Sequence, residues 1–157
     1  MKIRRADLND KNQLKYLLQG FYLDDKKRFS KQLQKWEKYK NDQDVIEATS
    51  TNYLNDQKYI VYVAEKDNNL IGYIVGEVKD KPHKVYDKEG YVQDWFVQEE
   101  YREQNIGKLL FDILIKEFKR LNCTHIALDS FVENKRAIDI YHKMGFKNRL
   151  LVLRKEM

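Results

Sequence analysis

A chain of 157 residues with 42% apolar side chains is long enough to form one domain around one core. Its 30 basic and 25 acidic residues give a net charge of +5, but the two signs are interleaved. They describe a solvated surface rather than a nucleic-acid-binding stripe, and the densest basic patch, Lys26-Lys27-Arg28, follows directly on two aspartates.

The first ten residues, MKIRRADLND, are too polar for a signal peptide. Within them Lys2–Arg5 reads as a short strand, and Asp7 or Asn9 as the cap of a following helix. Leu14, Leu17, Leu18 and Phe21 recur at helical spacing. Phe29, Leu33 and Trp36 form a second such stripe behind a possible cap, Ser30. Polar residues from Lys38 to Asp44 interrupt it, and a third helix is predicted from about Asp44 to Leu54. The texture then becomes β-rich. Tyr59–Glu65 and Leu70–Val78, joined by Asp67-Asn68-Asn69, read as a hairpin. A polar loop over Lys79–Lys88 holds the single proline, Pro82, and leads to a strong strand, Tyr91–Val97.

Ile106, Leu109, Leu110, Ile113, Leu114, Phe118 and Leu121 mark an amphipathic helix. His125–Leu128 is a short apolar strand, and Asn134–Met144 a helix with Asn134 as N-cap and Gly145 as left-handed C-cap. Phe146–Leu153 reads as a last strand. The order predicts an α/β fold, a central mixed β-sheet flanked by helices. With one proline, six glycines, no linker and no repeat, residues 1–157 are expected to form a single domain. No apolar run approaches the roughly 18 residues of a membrane span. The lone Cys123 excludes an internal disulfide and fits a reducing, cytoplasmic setting.

Two segments carry chemistry. The first, Val97 to Leu110 (VQEEYREQNIGKLL), runs from a strand end through a polar turn into a helix. The first amides of a helix lack intrahelical partners, and the helix dipole adds partial positive charge, so such a turn suits a phosphate or pyrophosphate. Gly107 allows close approach, and Arg102 and Lys108 add charge. Taken alone, the segment reads equally well as an ordinary strand-to-helix connection. It matches neither GxxxxGKS/T nor GxGxxG, which disfavours nucleotide hydrolysis and dinucleotide binding. It resembles the acetyl-CoA loop of the GNAT family of N-acetyltransferases, Arg/Gln-x-x-Gly-x-Gly/Ala. Arg102 and Gly107 match its ends, and Asn105 replaces its middle glycine. Asparagine tolerates left-handed backbone angles, so the turn survives the replacement. The resemblance implies that the amides of Glu103, Gln104, Asn105, Ile106, Gly107 and Lys108 cradle the pyrophosphate. It also implies that Trp95, Phe96 and Val97 pair through their backbone with the pantetheine arm.

The second segment, Leu128 to Phe146, places Asn134, Ala137 and Tyr141 on one helix face. On its own this is a capped helix with a small and an aromatic packing residue. It resembles the second GNAT signature, Asn-x-x-Ala-x-x-x-Tyr-x-x-x-Gly-Phe, at every lettered position: Asn134, Ala137, Tyr141, Gly145 and Phe146. The resemblance, carried over Tyr91 to Phe146, implies that Asn134 bonds the pantetheine region and that the Tyr141 hydroxyl faces the thioester sulfur. Acetyl-CoA is then the co-substrate, and the fold is that of the acyl-CoA N-acyltransferases.

Acyl transfer to an amine needs a group to take the ammonium proton and a group to protonate the departing thiolate. Tyr141 is the candidate acid, and the N–H of Val97 the candidate donor to the carbonyl oxygen. Polyamine-type relatives have Glu-Asp before two aromatics where this chain has Gln93-Asp94. Glutamine cannot act as a base, which nominates Asp94, with Glu77 and Glu89 in reserve; a structural carboxylate remains an equal reading of Asp94. Strict strand alternation puts Asp94 on one side with Val92 and Phe96, and Gln93 on the other with Tyr91 and Trp95. His83, His125 and His142 lack metal-ligand spacing, so no metal is expected. Cys123 reads as a small packing residue. Trp36, Tyr39 and Tyr53 are read either as core or as lining of an acceptor pocket.

The partner expected is an amine acceptor of unknown identity, with a homodimer possible and neither nucleic acid nor membrane involved. A non-catalytic acyl-CoA-binding module of the same fold is the alternative to an enzyme.

Overall fold

The computed structural model describes residues 1–157. Its five strands are β1 (Lys2–Arg5), β2 (Tyr59–Lys66), β3 (Asn69–Asp80), β4 (Lys88–Val97) and β5 (His125–Leu128). They lie in one sheet in the order β1-β2-β3-β4-β5. The first four are antiparallel neighbours, and β5 joins β4 in parallel, which makes the sheet mixed. The β2–β3 hairpin turns on Asp67 and Asn68, both at positive φ (51° and 63°). Two successive left-handed residues match the twist of the flanking strands, and Asp and Asn are among the few side chains that accept them.

Helices α1 (Lys11–Arg28) and α3 (Asp42–Asn55) cover one face, with a short α2 (Lys31–Trp36) between them. Leu14, Leu17, Leu18, Ile46 and Tyr53 pack there on Val61, Val63, Tyr73, Val75 and Phe96. Helix α4 (Ile106–Arg120) covers the other face, setting Ile106, Leu110, Phe111, Leu114 and Phe118 against Ile60, Ala64, Ile71, Ile74 and Val92. Strands β2 and β3 are therefore buried on both sides and read as nearly continuous apolar runs. The α4 face closes tightly over two glycines. A Cβ on Gly90 would lie 2.5 Å from the Phe118 ring, and one on Gly76 would lie 2.6 Å from it. The ring is 1% exposed as a result.

A polar knot ties the N-terminal elements together. Arg4 donates two hydrogen bonds to Asp10, at 2.7 and 2.8 Å, and a third to Glu65 at 2.6 Å. Asp10 is buried, and the Arg4 guanidinium holds its carboxyl below the usual carboxylate range. It also closes a capping box with Asp7, at the start of the chain's first helical turn.

Helix α5 (Lys135–Lys143) follows β5, capped by Asn134 and ended by Gly145 at φ +95°, as its sequence predicts. The expected last strand does not form. Residues 147–157 adopt no regular structure, and their backbone makes no hydrogen bond within the chain. The apolar run is strand-like in composition, but a strand exists only where a neighbouring backbone pairs with it.

Candidate active site

β5 pairs with β4 only from Glu89 to Val92. Beyond Val92, β4 runs on to Val97 with β3 on one side and no strand on the other. The divergence coincides with a bulge. Val75 pairs with Asp94 and Gly76 with Val92, so Gln93 is an extra residue on β4. A bulge bends its strand and increases the twist, which turns the end of β4 away from β5.

The bulge also corrects the side assignment expected from strict alternation. Asp94 does share a face with Phe96, on the side of α1 and α3, but Val92 packs on the opposite side, against α4. Trp95 packs on α4 through Phe111, while Tyr91, whose neighbour Gly90 abuts Phe118 of α4, lies on the other side. Gln93 itself is exposed.

Asp94 accepts a hydrogen bond from the hydroxyl of Tyr53 on α3, at 2.5 Å. Burial pushes the Asp94 carboxyl up to about 7; the Tyr53 bond pulls the other way, and the charge of Asp25 adds to the rise. Asp25 is itself pushed up to about 6, chiefly by burial. Tyr22 rises to about 12 through burial and the nearby charge of Asp94. The two reserve carboxylates are otherwise engaged. Glu89 accepts from Lys81 (2.5 Å) and contacts His125 Nε2 (2.9 Å). Burial pushes its carboxyl up, but these two partners outweigh that and hold it below the usual range. Glu77 is paired with Lys79 at 3.1 Å.

Tyr141 of α5 lies beside the end of β4. Its ring stacks near Trp95 (6.1 Å between centroids), and Trp95 in turn stacks on Phe111 (5.2 Å). The Tyr141 hydroxyl is raised by burial and has no hydrogen-bond partner in the chain. Asn134 spends its side-chain oxygen on the amide of Ala137, at 3.4 Å. Asp94, Trp95, Asn134 and Tyr141 line one cleft of about 1930 Å³, and Trp36, Tyr39 and Tyr53 also open onto it.

From Val97 the chain passes through a single turn, Glu99–Tyr101, into the loop before α4. Glu103 and Asn105 both have positive φ, 64° and 61°. Asn105 thus holds the left-handed position that the family pattern gives to glycine. None of the amides from Glu103 to Lys108 has a partner within the chain. Six free amides around a helix start fit a pyrophosphate without help from side chains. The side-chain charges expected there are committed elsewhere. Arg102 donates to Asp24 on α1 (2.7 Å) and through Nε to the carbonyl of Val97 (3.0 Å), and Lys108 pairs with Asp112 (2.6 Å). Gly107 is not demanded by the surrounding protein, since a Cβ there would meet only Trp95, at an ordinary 3.5 Å.

The partners of Asp94 escaped sequence reasoning. Tyr53 carries a legible signal, because Ile46, Ser50 and Tyr53 form the buried i, i+4, i+7 stripe of α3. Asp25 carries none. Cys123 packs at the edge of the α4 cluster with its thiol pushed up by burial, as a small packing residue would. No group of three His, Cys, Asp or Glu side chains is arranged to hold a metal ion, and no helix is long and apolar enough to cross a membrane.

Comparison with known proteins bears on this arrangement. The profile of the acetyltransferase (GNAT) family matches residues 20–146. N-alpha-acetyltransferase 30 of Saccharomyces cerevisiae is 34% identical over 99 residues, which cover 60% of this chain and 55% of the yeast protein. The match thus spans little more than half of that relative. Among solved structures, a tetramutant of the BH1408 protein from Bacillus halodurans superposes with a TM-score of 0.85 at 22% identity over the whole of both chains. A predicted acetyltransferase of Clostridium acetobutylicum, solved with acetyl-CoA, gives 0.76 at 20% identity, covering 99% of this chain and 95% of that one. At such identities these structures speak for the fold alone.

Proposed function

The chain belongs to the GNAT family of acetyltransferases, and on that premise we propose that it is an acetyl-CoA-dependent N-acetyltransferase in which a primary amine attacks directly within a ternary complex. One observation carries this reading. A single cleft presents a carboxylate raised to about 7, Asp94, and a tyrosine hydroxyl without a protein partner, Tyr141.

Acetyl-CoA, when bound, supplies the acetyl group as a thioester. The unpartnered amides from Glu103 to Lys108 hold its pyrophosphate, and the unpaired edge of β4 from Trp95 to Val97 aligns its arm. The Val97 N–H is the donor to the carbonyl oxygen. Asp94 takes the proton from the acceptor ammonium, with Tyr53 holding the carboxylate in place. Tyr141 donates a proton to the departing sulfur; burial makes its phenol a weaker acid than usual, so this uphill transfer is completed as the phenolate regains a proton from the newly formed N–H or from water.

The acceptor class follows from matching proton affinities. An α-ammonium at ~7.7–8.0 lies about one pKa unit above Asp94, so proton transfer costs roughly 1 kcal/mol. A lysine ammonium at ~10.4 lies more than three units above, costing upwards of ~4 kcal/mol. Peptide α-amines are therefore the favoured acceptors within the primary amines. The name of the yeast relative, an N-alpha-acetyltransferase, supports the same choice.

Thiol release from acetyl-CoA tests the proposal, using peptides with free N-termini, peptides with lysine only, polyamines, aminoglycosides and amino acids. Release with one acceptor class, sharply reduced in Tyr141→Phe, is expected. Acetyl-CoA binding without release on any amine would turn the reading to a non-catalytic binding module. No binding at all would overturn the site.

A further inference from the structure

Three carboxylates lining the cleft are largely buried: Asp25, Glu89 and Asp94. Two of them are served by donors of the chain itself. Tyr53 bonds Asp94, and Lys81 and His125 bond Glu89. Asp25 is not so served. Its side chain is 15% exposed, and no N–H or O–H of the chain donates to its carboxylate. The cation nearest to it, Arg28, stands 3.9 Å away and gives its hydrogen bond to Asp24, at 2.5 Å. A carboxylate withdrawn from water without donors is costly unless a ligand supplies them. The charge of Asp25 also reaches both groups assigned to the chemistry, raising the Asp94 carboxyl and the Tyr141 hydroxyl. It reaches the buried hydroxyl of Tyr73 on β3 as well, and the charges that act on Asp25 itself are Arg28 and Asp24 on α1.

We propose, on the acetyl-transfer reading of this site, that Asp25 is an acceptor-binding residue: it holds the ammonium of the incoming primary amine beside Asp94 and turns away amines that carry a carboxylate next to the nitrogen. A primary ammonium brings three N–H donors. Asp94 needs one of them, for the proton it takes, and Asp25 accepts a second. Two carboxylates of like charge are relieved by a cation placed between them, which a neutral acceptor does not provide. A free amino acid would bring a third negative charge to the same place. A peptide or an amino-acid amide has a neutral carbonyl there, so these are the acceptors that Asp25 admits.

The test is thiol release from acetyl-CoA with a free amino acid, its amide, and a short peptide beginning with the same residue. The wild type is expected to prefer the amide and the peptide to the amino acid, in kcat/KM, by roughly tenfold or more. Asp25→Asn is expected to raise KM for the amide and the peptide by roughly tenfold or more, with kcat less affected, and to narrow the preference. The inflection of kcat/KM with pH should move lower, because the variant removes a charge that raises Asp94. Acetyl-CoA affinity by isothermal titration should be unchanged, which shows the cofactor loop intact. A purely structural Asp25 would move stability but neither the preference nor the inflection. Wild-type KM and preference in Asp25→Asn would overturn the proposal and leave the acetyltransferase reading standing, as would a wild type that prefers the free amino acid. Loss of acetyl-CoA affinity in the variant would make Asp25 a residue of the fold and overturn it too. A wild type that releases no thiol with any amine would remove the acetyl-transfer reading, and this proposal with it.

Discussion

The hydroxyl of Tyr53 on α3 donates to the carboxylate of Asp94 on β4 at 2.5 Å, joining a helix and a strand that both line the cleft. The bond has a kinetic consequence. If Asp94 is the base, it must be ionised to act, so kcat/KM should rise with pH and level off above about 7. Asp94→Asn should lose ~10²–10⁴-fold in rate. Tyr53→Phe removes a bond that favours the ionised form, so the inflection should move to higher pH. A pH–rate profile of the three proteins checks this.

The same carboxylate has a stability consequence of defined sign. Its pKa is raised to about 7 in the folded chain, so the folded state holds a proton that the unfolded chain has lost. Stability from this group is complete below ~4, the unfolded value, and is lost as pH rises through about 7. Asp94→Asn should therefore be the more stable protein at pH 8, by on the order of 1–3 kcal/mol, with the gap closing towards pH 4. Urea unfolding at several pH values measures it.

Arg102 ties the loop before α4 to α1 by contacting both Asp24 and the Val97 carbonyl. A lysine has one compact ammonium and cannot serve both points as the planar guanidinium does. Arg102→Lys and Asp24→Asn should each cost ~1–3 kcal/mol of stability. Each should also raise KM for acetyl-CoA more than it lowers kcat, because the loop amides lose their placement. Steady-state kinetics beside denaturant melts separates the two effects.

Asn105 bears a side chain in left-handed backbone at φ 61°. Asn105→Gly should preserve acetyl-CoA affinity. Asn105→Val should weaken it at least tenfold, since a β-branched residue there carries ~1–3 kcal/mol of strain. Isothermal titration with acetyl-CoA reads the difference.

Gly90 leaves room for Phe118, whose ring would lie 2.5 Å from an added Cβ. Gly90→Ala should destabilise by ~1–3 kcal/mol through overpacking. Phe118→Leu should recover part of that loss when combined with it, although Phe118→Leu alone opens a void. A double-mutant cycle in urea tests the coupling.

Both local signatures were legible because their chemistry lies within short stretches of chain. The Asn134 cap, the Gly145 turn and the α4 stripe each depend on residues a few positions apart. What escaped depends on distance or on count. Asp94 and Tyr53 are 41 residues apart, and Arg102 and Asp24 are 78 apart, so the fate of each side chain is set by packing that no local pattern encodes. The apolar run after Phe146 looked like a strand because composition reports what a segment would bury, and only a paired backbone makes it one.

A strand deals its side chains to two faces by parity, and one unpaired residue between Val92 and Asp94 resets that parity for the rest of β4. Were Gln93 paired in regular alternation instead of bulged out, Asp94 and Phe96 would be dealt to the face of α4, and Trp95 would be turned towards α3. The acid would lose Tyr53, and the indole would lose its place between Phe111 and Tyr141. A deletion of this exposed glutamine would leave Val92 and Asp94 consecutive and still on opposite faces, whereas drawing it into the ladder would exchange the two walls of the cleft in a single step.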